Sequence, residues 1–208
     1  VNHLLGFFSA FNPDAIKNTR FYKGSFPAEY GGRLSSVVDV RMNDGNRQEY
    51  HGNISVGLLS ARANLEGPIV KDRSSFNVSV RRTWLDLITG TALAIINKNS
   101  DTKESFGYHF FDINAKVNHS FSERSRAYLS FYMGQDAFRQ GSKEKHEDSD
   151  DMFLWRWGNL IGSAGWNYVF GQKLFGNLMV GYSRFRSHIR QEAKGYEIEG
   201  NRAERQSI

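Results

Sequence analysis

FFDINAKVNHSF, residues Phe110–Phe121, alternates without a slip: Phe111, Ile113, Ala115 and Val117 fall on one face of an extended chain, and Asp112, Asn114, Lys116 and Asn118 on the other. A period of two is the signature of a strand with two different surroundings. The pattern recurs. Phe76, Val78 and Val80 oppose Asn77, Ser79 and Arg81; Ala61, Ala63 and Leu65 oppose Arg62, Asn64 and Glu66; Leu129, Phe131 and Met133 oppose Tyr128, Ser130 and Tyr132. With 14% aromatic residues, 20 glycines and only 3 prolines, the composition agrees with a chain that is mainly β.

The connections between these runs organise them. VKDRS (Val70–Ser74), SERS (Ser122–Ser125) and GQK (Gly171–Lys173) are turn-like, whereas Leu85–Tyr108 and Ala137–Met152 are long. Short and long connections alternate, as in an up-and-down barrel with tight turns on one rim and loops on the other. For the parity to hold, Tyr50–Ile69 must fold as two strands with a break at Gly57-Leu58-Leu59-Ser60. The expectation is about seven antiparallel strands: 50–57, 61–69, 74–84, 108–121, 126–136, 153–170 and 174–190.

The longest purely apolar run, ALAII (Ala92–Ile96), is far below the roughly 18 residues of a spanning helix. A transmembrane β-barrel shows almost no such signal. Aromatics gather toward strand ends: Trp84, Tyr108–Phe111, Trp155, Trp157, Trp166, Tyr168, Phe170 and Phe175, as in interfacial girdles. Periodicity alone leaves a membrane barrel and a soluble β-sandwich with core aromatics both open.

Charge and motifs exclude more than they select. The net charge is +5, but 27 basic residues are spread among 22 acidic ones, so no face is marked for nucleic acid. The chain has no cysteine, hence no thiol nucleophile or disulfide frame. There is no G-x-S-x-G, phosphate loop or dinucleotide fingerprint, and the six histidines form no HExxH. No catalytic residue, cofactor or metal is therefore assigned. KEKHEDSDD (Lys143–Asp151) offers carboxylates to calcium but lacks the EF-hand spacing and turn glycine, and reads as a solvated charged loop.

Residues 1–46 have a different texture from 47–208. Asn12-Pro13-Asp14 is an N-cap followed by a helix-starting proline and implies a short helix through Ile16. A strand at Arg20–Lys23, a turn at Gly24, a helical turn around Pro27–Tyr30 and a strand at Ser35–Met42 complete a small α+β element, closed by the turn Asn43–Asn46.

PDAIKNTRFYKGSFPAEYGGRLSSVVDVRMNDGN, residues 13–46, resembles the end of the plug domain of TonB-dependent outer-membrane receptors. YHGNISVG and LEGPI, which follow, resemble the start of that family's barrel. The resemblance implies an antiparallel up-and-down transmembrane β-barrel segment of about seven strands (47–208), preceded by the C-terminal part of an α+β plug (1–46). It implies an internal piece of a longer protein in the outer membrane of a Gram-negative bacterium. Its function would be energy-coupled uptake of a large ligand of the siderophore, oligosaccharide or peptide class, with no enzyme chemistry and no cofactor. The implied partners are an inner-membrane TonB-type protein, outer-membrane lipid, the imported ligand and a surface lipoprotein. Asn2, His3, Phe7 and Phe8 would lie at the ligand-facing plug apex, although Phe7 and Phe8 also suit a packed plug core. Arg33, Arg62, Glu66, Arg81, Asp112 and Lys116 would make polar contacts between plug and barrel, Arg33 with Glu66 among them. The alternative is a non-transporting surface or soluble β-domain that binds glycans with its aromatics.

Overall fold

The computed structural model describes His3, residues 12–24, Pro27, Tyr30, and residues 36–144, 150–193, 196–199 and 203–207. Asn12 caps a single 3-10 turn, Pro13–Ala15, its side chain accepting from the Asp14 amide at 3.2 Å. The expected helix through Ile16 stops short, because β-branched Ile16 already opens strand β1 (Ile16–Lys23), which pairs antiparallel with β2 (Ser36–Met42) as a separate two-stranded sheet. The strand expected at Arg20–Lys23 is thus twice as long.

The rest forms one large antiparallel sheet. Its strands are β3 (His51–Val56), β4 (Ser60–Val70), β5 (Ser74–Thr83), β6 (Thr102–Ser122), β7 (Ser125–Glu144), β8 (Asp150–Val169) and β9 (Phe175–Ala193), each paired with its neighbours in sequence. The break between β3 and β4 falls at the expected glycine: Gly57 N–H donates to the Ser60 carbonyl at 2.8 Å. β10 (Tyr196–Glu199) and β11 (Ala203–Ser207) lie end to end along the other edge of β9 and supply a further strand position beyond the seven expected.

The long connections are shorter than the sequence suggests. Helix α1 (Leu85–Ile96) fills most of the first, and β6 begins at Thr102 rather than near Tyr108. β7 runs on to Glu144, and β8 starts at Asp150. The acidic residues Glu147 and Asp148 lie outside the described residues.

The large sheet is inside out. Its polar face is the covered one: Ser75, Asn77, Ser79, Asp112, Asn114, Asn118 and Asp136 are buried. Its apolar face is bare: Leu65 is 52%, Val78 37%, Val117 40%, Leu129 64% and Val180 56% exposed. Cover for the polar face over β4–β7 comes from residues N-terminal to β3, through His3, Asp14 and the 42–44 backbone. Toward β9 the same face opens, and Met179 is 69% exposed.

One aromatic expectation changes. Phe121, Trp166 and Phe170 are exposed near the short turns. At the other end Tyr108, Phe110 and Trp157 do not form a girdle; they turn to the covered face and pack with Leu85, Phe138 and Trp155. The cause is parity: Tyr108 and Phe110 share the face of Asp112 along β6.

Gly45 ties the turn after β2 to the large sheet. Its φ is +79°, and a Cβ there would collide with the Phe76 carbonyl of β5. Gly45→Ala is expected to destabilise the fold by about 2 kcal/mol, through backbone strain and loss of this close approach. Denaturant unfolding of the variant against the parent measures it.

Candidate functional site

The covered polar face carries two clusters along the strands. The first sits mid-sheet. Strand parity brings Arg81 of β5 opposite Asp112 of β6, and the guanidinium donates from Nε and Nη2 to one carboxylate oxygen, Oδ2, at 2.7 and 2.6 Å. Asp112 is fully buried, so the pair is desolvated and its geometry matters. His3 lies between two carboxylates: Nδ1 is 2.9 Å from Asp136 Oδ2, and Nε2 is 3.7 Å from Asp112 Oδ2. Tyr108 donates its hydroxyl to the other Asp136 oxygen. Phe110 is sandwiched, with the His3 ring stacked at 3.9 Å and the Arg81 guanidinium 4.8 Å from its centroid. Its own amide donates to Thr83 Oγ1 at 2.9 Å.

The second cluster gathers around Asp44, in the turn after β2. Lys116 Nζ donates to Asp44 Oδ1 at 2.7 Å and to the Met42 carbonyl at 3.1 Å; Lys17 reaches Asp44 Oδ2 at 3.0 Å. Ser75 and Asn118 donate to the Asp44 carbonyl at 2.7 and 2.9 Å. Glu66 accepts from Asn43 at 3.0 Å and from Asn77 at 3.2 Å, and Arg62 meets Asp14 at 3.2 Å. Burial alone pushes the Asp44 carboxyl up, but its hydrogen bonds and charge interactions with Lys116 and Lys17 outweigh that and hold it below the ordinary carboxylate range.

Arg62, Glu66 and Lys116 therefore contact the N-terminal segment directly, whereas Arg81 reaches it through Asp112 and His3. Arg33, Asn2, Phe7 and Phe8 lie outside the described residues; Glu66 is engaged by Asn43 and Asn77. His3, expected at an open apex, is instead 1% exposed, because it fills the space between Asp112 and Asp136. Asp136, Asp14, Asn43 and Asp44 were not expected here. Asp136 had a signal: Ser130, Tyr132, Gly134 and Asp136 share the polar parity of β7. The others lie in turns, where periodicity says nothing.

Beyond the buried aromatics, where the long strands project, an open groove of about 590 Å³ is lined by residues including Phe106, Phe153, Gln140, Gln191, Glu104 and Asp151. Among the described residues no group of three or more metal-ligating side chains converges. No family model matches the chain, and neither a curated protein nor a solved structure matches it.

Asp112→Asn or Arg81→Met leaves a buried charge without its partner, and each is expected to cost about 3–5 kcal/mol, with the double variant well short of the sum. A double-mutant cycle by denaturant unfolding checks this. For Asp44 the depressed pKa gives stability that is present above its unfolded value, near 3.8, and lost as pH falls through the lower folded value. Hydrogen exchange of the 43–46 amides should rise in that window, and Asp44→Asn should flatten the pH dependence while lowering protection at neutral pH.

Proposed function

We propose that this chain is part of a TonB-dependent outer-membrane receptor, with residues 12–46 the end of a plug and β3 onward the start of a barrel. The observation that carries the reading is the inverted sheet: polar side chains under cover, aliphatic side chains exposed on strand after strand. In water such a face would be an aggregation surface; in a bilayer it is the lipid-facing wall. The covering segment meets the sheet through ion pairs and amide hydrogen bonds, as suits a plug in a polar lumen.

On this reading a large ligand of the siderophore, oligosaccharide or peptide class is taken up without being chemically altered. Energy reaches the plug from an inner-membrane TonB-type protein, and the lumen-side groove at the long-strand rim helps hold the ligand on the outer side. A surface lipoprotein that assists capture belongs to the same proposal. The glycan-binding soluble domain is disfavoured by the absence, among the described residues, of a second sheet over Val78, Val117 and Leu129.

The parent chain has no cysteine, so single cysteines report cleanly. In lipid vesicles, spin labels at Val78→Cys, Leu129→Cys and Val180→Cys should be accessible to oxygen and shielded from a polar nickel chelate. Labels at Ser130→Cys and Ser163→Cys should show the opposite preference or neither. Outward positions as open to the chelate as Lys173→Cys in the short turn would sink the membrane reading.

A further inference from the structure

The outward face of the large sheet changes chemistry part-way along the strands. Starting from the short-turn rim, each strand first shows aliphatic, aromatic or small residues. Beyond them β5 presents Arg82, β6 His109, β7 Arg139, β8 Arg156 and β9 Arg184, all of outward parity. The cations form a belt across the sheet at the far border of the apolar band.

At one end of this belt the charge is answered within the protein. Asp86 of α1 lies 3.6 Å from Arg82 and 3.4 Å from His109. The centre differs. Arg139 and Arg156 are exposed and have no carboxylate within ion-pair distance among the described residues. They are also close neighbours: Arg156 pairs across strands with Ala137, and Arg139 with Leu154, which places the two guanidinium side chains diagonally on one face. His188 stands directly opposite Arg156 on β9. Like charges so placed repel, and the arrangement calls for an anion from outside.

We propose that Arg139 and Arg156, with His188 beside them, bind the phosphate of an anionic lipid whose acyl chains lie along the adjoining apolar band. This rests on the membrane reading above. Three features favour a lipid over a freely diffusing anion. The site is on the wall and not in the groove. It borders the aliphatic surface on which acyl chains would lie. Arginine offers a planar fork to phosphate oxygens at a headgroup depth where each cation adds to retention.

The test is native mass spectrometry of the protein released from neutral detergent with diacyl phosphatidylglycerol and phosphatidylcholine added together. The parent should retain phosphatidylglycerol preferentially; R139Q/R156Q should lose that preference by roughly ten-fold or more, and R139K/R156K should keep most of it. Equal retention of the two lipids by the parent, or an unchanged preference in R139Q/R156Q, overturns the proposal. The spin-label pattern separates the two ideas. Outward positions in lipid without a phosphatidylglycerol preference discard the phosphate site alone, whereas wet outward positions discard both.

Discussion

Buried polar side chains on one sheet face constrain everything else in this molecule. A strand alternates by geometry, so placing Asn77, Ser79, Asp112 and Asn114 under cover forces Val78, Val80, Ile113 and Ala115 to the other side. The covered face then needs a polar partner, since each amide or carboxylate left without a hydrogen bond costs about 1–3 kcal/mol. Residues 12–46 supply that partner with Asp14, Asn43 and Asp44, and His3 supplies another. The bare face needs a medium in which aliphatic groups carry no penalty. One alternation thus specifies two different environments.

The seam between the N-terminal segment and the sheet is closed unevenly. Around Asp44 nearly every group has a partner, and Lys116 is held by a carboxylate and a carbonyl together. Nearer the middle of the sheet, Asn77 Oδ1, Ser79 Oγ and Tyr132 Oη are buried without a hydrogen bond among the described residues. A seam of this kind separates differently from an apolar one. Water replaces its hydrogen bonds at small net cost, and no hydrophobic surface is uncovered. A plug that has to rearrange without denaturing its barrel needs that property.

Most of the sheet was legible because period-two alternation survives from β4 to β7, and because parity required the break at Gly57. What escaped has physical reasons. Residues 137–152 carry Lys, Glu and Asp at a density that reads as solvated loop, yet β7 and β8 hold them in register by pairing beyond the apolar band. Helix α1 was hidden by Thr89, Gly90 and Thr91, weak helix formers in its middle, although Thr89 and Thr91 return hydrogen bonds to the Leu85 and Leu87 carbonyls. The aromatics of β6 and β8 were assigned by position along the strand when parity, already established for Asp112, placed Tyr108 and Phe110 inward. The same parity reached Arg81 and Asp112 but left their third partner open, since no local pattern says that a histidine more than seventy residues upstream fills the gap.

Strand length explains why both faces keep distinct chemistry so far from the band. At about 3.3 Å per residue, the 21 residues of β6 span roughly 70 Å, well beyond what a tilted strand needs to cross a bilayer. A loop of the same length would scatter its side chains. A paired strand continues to sort them, so the projecting wall presents Phe106, Gln140 and Phe153 on one side and Arg139 and Arg156 on the other. The groove and the cationic belt are consequently insulated by the sheet that carries them: a change of residue at one reaches the other only through backbone register. Capture of a ligand on the inner side and anchoring in the surrounding leaflet on the outer side can therefore be tuned independently within the same dozen residues of each strand.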